Sequence, residues 1–247
     1  MADQDMNYID HLSELRKRII LTLVTFLLFF IMGFLYHRPI QTFFLNDVSF
    51  ELHMTSPGEI IWIVFTIASI IAIAATLPMF SFQLWLFIKP ALTKKEKRVS
   101  LMYIPFIFLL FIGGLVFGYF IFIKFIMPFL LNLNDGMFTE IYTVERYFKF
   151  LFRVTVPFAV FFEIPLLLMF LTSLGIVNPQ FLVKIRKYAY LILVIIGTIL
   201  SPPDFILQLV VAVPLILLYE ISILLSRIVF KKRMKQQREG LEQEEEE

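Results

Sequence analysis

The 247-residue sequence contains no cysteine, which excludes disulfides and thiolate metal sites. It has only three histidines, His11, His37 and His53, scattered through terminal and loop regions without ligand spacing. HExxH, a glycine-rich phosphate loop and GxSxG are all missing, so the familiar hydrolytic and nucleotide-binding chemistries have no foothold. The first residues, MADQDMNYIDHLSELRKR, lack a short apolar core with a small-residue cleavage site, and no removable signal peptide is expected. Charge is scarce too. Only 17% of residues are charged, against about a quarter in soluble domains, and 59% are hydrophobic. No cofactor and no nucleic-acid partner is expected.

What the chain has instead is long uncharged runs, the mark of an integral membrane protein. Six spans are predicted, at residues 19–36, 60–88, 101–125, 150–174, 188–200 and 205–226. The first is about 18 residues, roughly 27 Å of helix and enough to cross. Pro78, Pro105, Pro157, Pro165 and Pro214 fall inside or at the ends of these runs and predict kinks. The fifth run is short, about 13 residues or ~20 Å. It joins the sixth through Ser201-Pro202-Pro203-Asp204 alone, so the two must form an antiparallel hairpin. The fold class is an all-α membrane protein, with residues 1–230 as one domain. Residues 231–247 run basic and then acidic, and predict a helix extension fraying into a disordered tail.

Six spans put both termini on one side. Of the 22 lysines and arginines, 17 fall in the N-terminal segment, the 89–98 and 175–187 connections and the C-terminal tail. The positive-inside rule therefore places both termini in the cytoplasm. The outer loops, 38–59 and 126–149, are longer and more polar, and neither is large enough for a domain.

Four acids stand out. Glu96 lies among Lys94, Lys95, Lys97 and Arg98, at the end of the stretch QLWLFIKPALTKKEKR that holds Trp85, Phe87 and the helix-breaking Pro90. Glu14 lies in an amphipathic lead-in to the first span, with Ile9, Leu12, Leu15 and Ile19 near one face. It can pair with Arg18 at i,i+4, worth about 0.3–0.5 kcal/mol. By spacing alone both acids read first as self-satisfied charges, and a socket for a cation is the sharper alternative. A guanidinium would fit either carboxylate as a bidentate fork, which lysine cannot reproduce. Glu163, near the centre of the fourth run, costs of order 2.5–3.5 kcal/mol to insert ionised, so it must meet protein, water or a partner. It is read either as a packing residue or as a polar contact for something entering laterally. Glu220, near the inner end of the sixth run, can snorkel or pair with a basic residue; Gln208 is a milder case in the same run. Gly114-x-x-x-Gly118 allows close helix approach.

Taken in order, HLSELRKR (11–18), SPGE (56–59), QLWLFIKPALTKKEKR (83–98), FFEIP (161–165), SPPD (201–204) and PLILLYE (214–220) resemble the TatC family across nearly the whole chain. That family is the multispanning receptor subunit of the twin-arginine protein translocase, and the likeness is to the Gram-positive forms. Ser201 stands where the family usually has threonine, and the acidic tail lies outside the pattern. The resemblance implies a curved, glove-like helical wall. It implies binding of signal peptides with a consecutive arginine pair on folded precursors, and recruitment of single-span TatA/TatB-type subunits. Export would then be driven by the proton-motive force, in homo- and hetero-oligomers. By matching position, Glu14 and Glu96 would hold the arginines, with Arg16, Phe87, Lys97 and Arg98 shaping the site. Glu163 would face the membrane cavity, and Asp204, Gln208 and Glu220 would belong to the partner-docking region. The competing classes are an ion-coupled secondary transporter using Glu163 and an intramembrane enzyme. Against the first stands the lack of a repeated half or paired interrupted helices; for the second, no nucleophile or metal set is visible.

Overall fold

A computed structural model describes residues 2–48, 50–89, 94–133 and 141–245, with side chains for 13–48, 50–87, 89, 97, 101–133 and 141–235. The described residues are helical apart from one pair of two-residue strands. In order they are α1 (Ala2–Leu35), α2 (His37–Asn46), β1 (Leu52–His53), α3 (Gly58–Ile88), α4 (Lys94–Ile121), a π-helical turn (Phe122–Ile126), α5 (Met127–Leu133), β2 (Tyr142–Thr143), α6 (Val144–Phe162), α7 (Ile164–Ser173), α8 (Pro179–Leu200) and α9 (Phe205–Glu245). Five stretches among the described residues are long and apolar enough to cross a membrane: Ser13–Leu35, Gly58–Phe87, Leu101–Leu133, Val144–Ser173 and Phe205–Lys235. In α8, the expected fifth span, Lys184, Arg186 and Lys187 occupy the first half, leaving only residues 188–200 uncharged.

The chain divides into two compact units. In the first, Met1–Leu109 with Phe138–Phe150, α1 packs on α3. A Cβ built on Gly33 would stand 3.0 Å from the Cα of Ala68, so the backbones touch with no side chain between them. Phe30 and Phe34 each bring a ring centroid within 5.6 Å of Phe65. At the N-terminus of α3, Glu59 is 4% exposed. It accepts from the backbone N–H of Thr55 (3.0 Å), Ser56 (3.1 Å) and Glu145 (3.2 Å) and from the Thr55 hydroxyl. That carboxylate ties the loop before α3 to the start of α6. The parallel pairing of Leu52 with Tyr142 and His53 with Thr143 joins the same two loops.

In the second unit, Leu110–Met137 with Leu151–Glu247, α4 meets α6 through glycine. A Cβ on Gly114 would lie 2.6 Å from the Cα of Ala159, and one on Gly118 2.8 Å from that of Thr155. Gly197 of α8 similarly faces Ala212 of α9, at 3.1 Å. Hydroxyls supplement these contacts: Thr172 of α7 bonds Ser226 of α9 at 2.6 Å, and Tyr219 donates to the carbonyl of Leu182 at 2.9 Å.

Two expectations are revised and two gain detail. The lead-in is not a separate surface helix; α1 runs from Ala2 to Leu35 without a break, because no proline interrupts its hydrogen-bond ladder. The fourth run breaks at Glu163, between α6 and α7. Pro165 has no N–H to offer Phe161, and the turn closes through Glu163 N–H to Val160 O at 3.1 Å. The connections expected on the outer side hold short helices of their own, α2 and α5. The C-terminal segment extends α9 as helix to Glu245, in keeping with its lysines, glutamines and glutamates, all good helix formers. Pro90, the expected breaker, lies outside the described residues.

The glycine contacts give a direct test. Gly114→Val should cost ~1–3 kcal/mol by overpacking, which for a chain this long lowers the melting temperature by roughly 2–10 °C. At Gly113, a Cβ meets nothing within 4 Å, so Gly113→Ala should leave the melting temperature unchanged or raise it. Equal loss in both variants would show that the α4–α6 contact is not close.

Candidate functional site

Near the start of the chain, Arg18 joins Glu14 to the end of α3 within the first unit. Arg18, one helical turn after Glu14, pairs with it. The same guanidinium reaches across to α3, donating through Nη1 to the backbone carbonyl of Gln83 at 2.7 Å. It also lies over the Phe87 ring, 6.0 Å from its centroid. The Arg18 side chain is 15% exposed, whereas that of Glu14 is 45% exposed. A guanidinium here is thus served by a carboxylate, a carbonyl and an aromatic face, the partners that suit its planar, multiply donating shape. Nearby on α3, Trp85 stacks on Phe82 at 6.0 Å and carries Lys89 over its ring at 5.3 Å.

Arg16 and Lys17 point outward and are exposed, and Lys97 of α4 is half-buried. The side chains of Glu96 and Arg98 lie outside the described residues, although their backbone belongs to α4. The structure therefore brings Glu14 and Phe87 to one cluster through Arg18. Sequence reasoning saw Arg18 only as a partner within its own helix. Gln83 could not be found at all by residue type, because its backbone is what binds.

Glu163 occupies the break between α6 and α7 in the second unit. It is half-buried, and its Oε1 is buried with no hydrogen-bond partner among the described residues. Arg153 does not serve it; that side chain donates to the carbonyl of Ile199 at the end of α8. Phe162, next to Glu163, packs its ring 5.3 Å from Phe117.

The turn between α8 and α9 is built by its own residues. Ser201 ends α8 and is 5% exposed. Asp204 caps α9, its Oδ1 accepting from Ile206 N–H (2.8 Å) and Leu207 N–H (3.1 Å), which satisfies two otherwise unpaired donors. Gln208, one turn on, is half-buried. Glu220 binds within the hairpin: Arg186 of α8 approaches it at 2.8 and 2.9 Å, and Tyr190 donates its hydroxyl. Arg186 and Tyr190 were not foreseen as its partners, although their spacing of four places both on one face of α8.

Comparison with known proteins covers almost the whole chain. The family profile described as Sec-independent protein translocase protein (TatC) matches residues 10–214. The Sec-independent protein translocase protein TatCd of Bacillus subtilis strain 168 is 44% identical over 237 residues, spanning 96% of this chain and 98% of that protein. TatCy of the same strain is 39% identical over 242 residues, 95% and 94% of the two chains. Two crystal structures of the twin arginine translocase receptor TatC, the second in DDM, give TM-scores of 0.73 and 0.78 at 31% and 34% identity. They cover 89% and 87% of this chain and 99% of each of those chains.

The hairpin makes a second prediction. Asp204→Ala removes a helix cap worth about 1 kcal/mol and should lower the melting temperature by roughly 2–4 °C. Arg186→Ala removes the cation paired with Glu220, leaving the Tyr190 hydroxyl, and should lower it further. A double variant, Arg186→Ala with Glu220→Ala, should recover part of that loss; strict additivity in calorimetry would show that the pair is not coupled.

Proposed function

The chain belongs to the TatC family, a bacterial multi-pass membrane component of the Sec-independent protein translocase and not an enzyme, and from that premise we propose that it is the receptor for twin-arginine signal peptides. It sits in the cytoplasmic membrane with six spans, α8 being the short fifth, and both termini in the cytoplasm. The distribution of 17 of 22 basic residues supports that orientation. Residues 1–230 act as one transmembrane domain, followed by the charged segment 231–247.

The observation that carries the receptor reading is the setting of Glu14. Its half-exposed carboxylate already holds one guanidinium, backed by a carbonyl and the Phe87 ring. A peptide guanidinium needs the same chemistry, and Glu96 on the same cytoplasmic side supplies a second carboxylate for the second arginine. Arg16, Lys97 and Arg98 flank these acids and orient the chain between them. Because a fork-shaped cation is read by two oxygens, charge alone does not suffice.

The peptide arrives on a folded precursor. TatA/TatB-type single-span subunits dock on the α8–α9 hairpin around Asp204, Gln208 and Glu220, where apolar side chains such as Leu191, Ile195 and Leu209 are exposed. Glu163, with an oxygen unpaired among the described residues, offers a polar contact inside the membrane to the inserting peptide or to a partner. The proton-motive force drives export of the folded cargo through the homo- and hetero-oligomer.

Binding of a labelled twin-arginine peptide to the full-length protein in lipid nanodiscs tests this. Glu14→Ala and Glu96→Ala should each weaken binding about tenfold or more, a loss of ~1.4 kcal/mol. Changing both peptide arginines to lysine should cost as much. Unchanged affinity in the two variants would remove these residues from the site, and equal affinity for the Lys-Lys peptide would rule out fork-shaped recognition.

A further inference from the structure

We propose that the cleft between α1 and α3 seats the first apolar residues that follow the arginine pair of a signal peptide; this rests on the receptor reading above. The cleft lies wholly within the first unit and has a volume of about 350 Å³, within the range of ligand pockets. It is lined on α1 by Leu15, Leu23 and Phe26 and on α3 by Ile73, Leu77 and Phe80. At one end lie Arg18, Gln83 and Phe87; Arg18, which pairs with Glu14, bonds the Gln83 carbonyl and lies over the Phe87 ring.

The order of chemistry along the cleft matches the order along the peptide. Signal peptides carry a positive segment followed by an apolar segment of about 7–15 residues. The cleft begins at Arg18, the partner of the Glu14 carboxylate, beside the Gln83 and Phe87 groups that serve a guanidinium, and continues as an apolar trough. Its α1 wall, from Leu15 to Phe26, runs roughly 16 Å at ~1.5 Å per residue. An extended chain rising ~3.3 Å per residue would place about five residues there. The cleft thus takes the start of the apolar segment, while the remainder continues into the bilayer.

One polar atom separates a peptide from a lipid as the occupant. Thr76 lines the cleft and is 5% exposed, and its hydroxyl is buried with no hydrogen-bond partner among the described residues. Thr22, on the opposite wall, satisfies its hydroxyl by donating to the Arg18 carbonyl of its own helix at 2.9 Å. A hydrocarbon tail would leave the Thr76 hydroxyl unpaired, whereas a peptide backbone brings N–H and C=O groups to meet it.

The test uses the full-length protein in nanodiscs and two labelled peptides. One carries the arginine pair and the apolar segment; the other ends just after the arginines. Leu77→Trp, which fills the cleft, should weaken the long peptide about tenfold (~1.4 kcal/mol) and leave the short one unchanged. Thr76→Val keeps the shape and should weaken the long peptide about threefold, which covers the case in which the tryptophan variant melts early. Glu14→Ala, the check on the receptor reading, should weaken both peptides. If Glu14→Ala changes neither, the receptor reading fails and this inference with it. If Glu14→Ala acts but both cleft variants bind the long peptide normally, or weaken the two peptides alike, the cleft assignment alone is overturned. Native mass spectrometry that finds a phospholipid retained at saturating long peptide in the parent, and lost in Leu77→Trp, would make the cleft a lipid seat and overturn it too.

Discussion

In hydrocarbon, an apolar side chain gains nothing by leaving lipid for protein, so helices associate only where their backbones come close or polar groups bond across. Both units obey this constraint. In the first, Gly33 lets α1 rest on the Ala68 backbone. In the second, Gly114 and Gly118 bring α4 onto Ala159 and Thr155, and Gly197 brings α8 onto Ala212. Where backbones do not touch, hydroxyls and charges act: Thr172 with Ser226, Tyr219 with the Leu182 carbonyl, and Glu220 with Arg186 and Tyr190. Most of the large apolar side chains of α1, and many of those of α8 and α9, are left facing outward, as lipid permits.

The same constraint explains where polarity concentrates. The carboxylates that bind tightly stand at helix ends and turns. Glu59 closes the start of α3 over four donors, and Asp204 closes the start of α9 over two. Glu163 stands at an internal helix end, created by Pro165. Glu14 sits toward the N-terminal end of α1, ahead of its apolar run, and stays half-exposed. A membrane receptor that must recognise a cation before lipid is reached can present its carboxylate only at such an edge, where water lowers the cost of keeping it charged.

Much of this was legible from residue order. Uncharged runs give the spanning helices, and Ser201-Pro202-Pro203-Asp204 forces the hairpin because four residues allow nothing else. The α2 helix was also written there, in Ile40, Phe43 and Phe44 at helical spacing within an apparent loop. Other features were hidden for physical reasons. Proline marks both Pro157 and Pro165 as breakers, yet α6 passes through Pro157 and yields only at Glu163; neighbouring helices decide which freed carbonyl is tolerated. The bond from Arg18 to the Gln83 carbonyl leaves no trace in residue identity, because every residue has a carbonyl. The Glu59 clip joins positions 86 residues apart through backbone N–H groups, equally silent in the sequence.

On the proposed function, carboxylates at the cytoplasmic edge, and not a site within the bilayer, read the arginine pair. Site-specific photocrosslinking of a folded twin-arginine precursor tests it most directly, with the photoreactive residue placed in turn at Ser13, Lys97 and Phe162. Ser13 and Lys97 should capture the peptide beside its arginines and lose it when both arginines become lysine. Capture of the arginine pair only from Phe162, beside Glu163, or undiminished capture of the Lys-Lys precursor at Ser13 and Lys97, would contradict it.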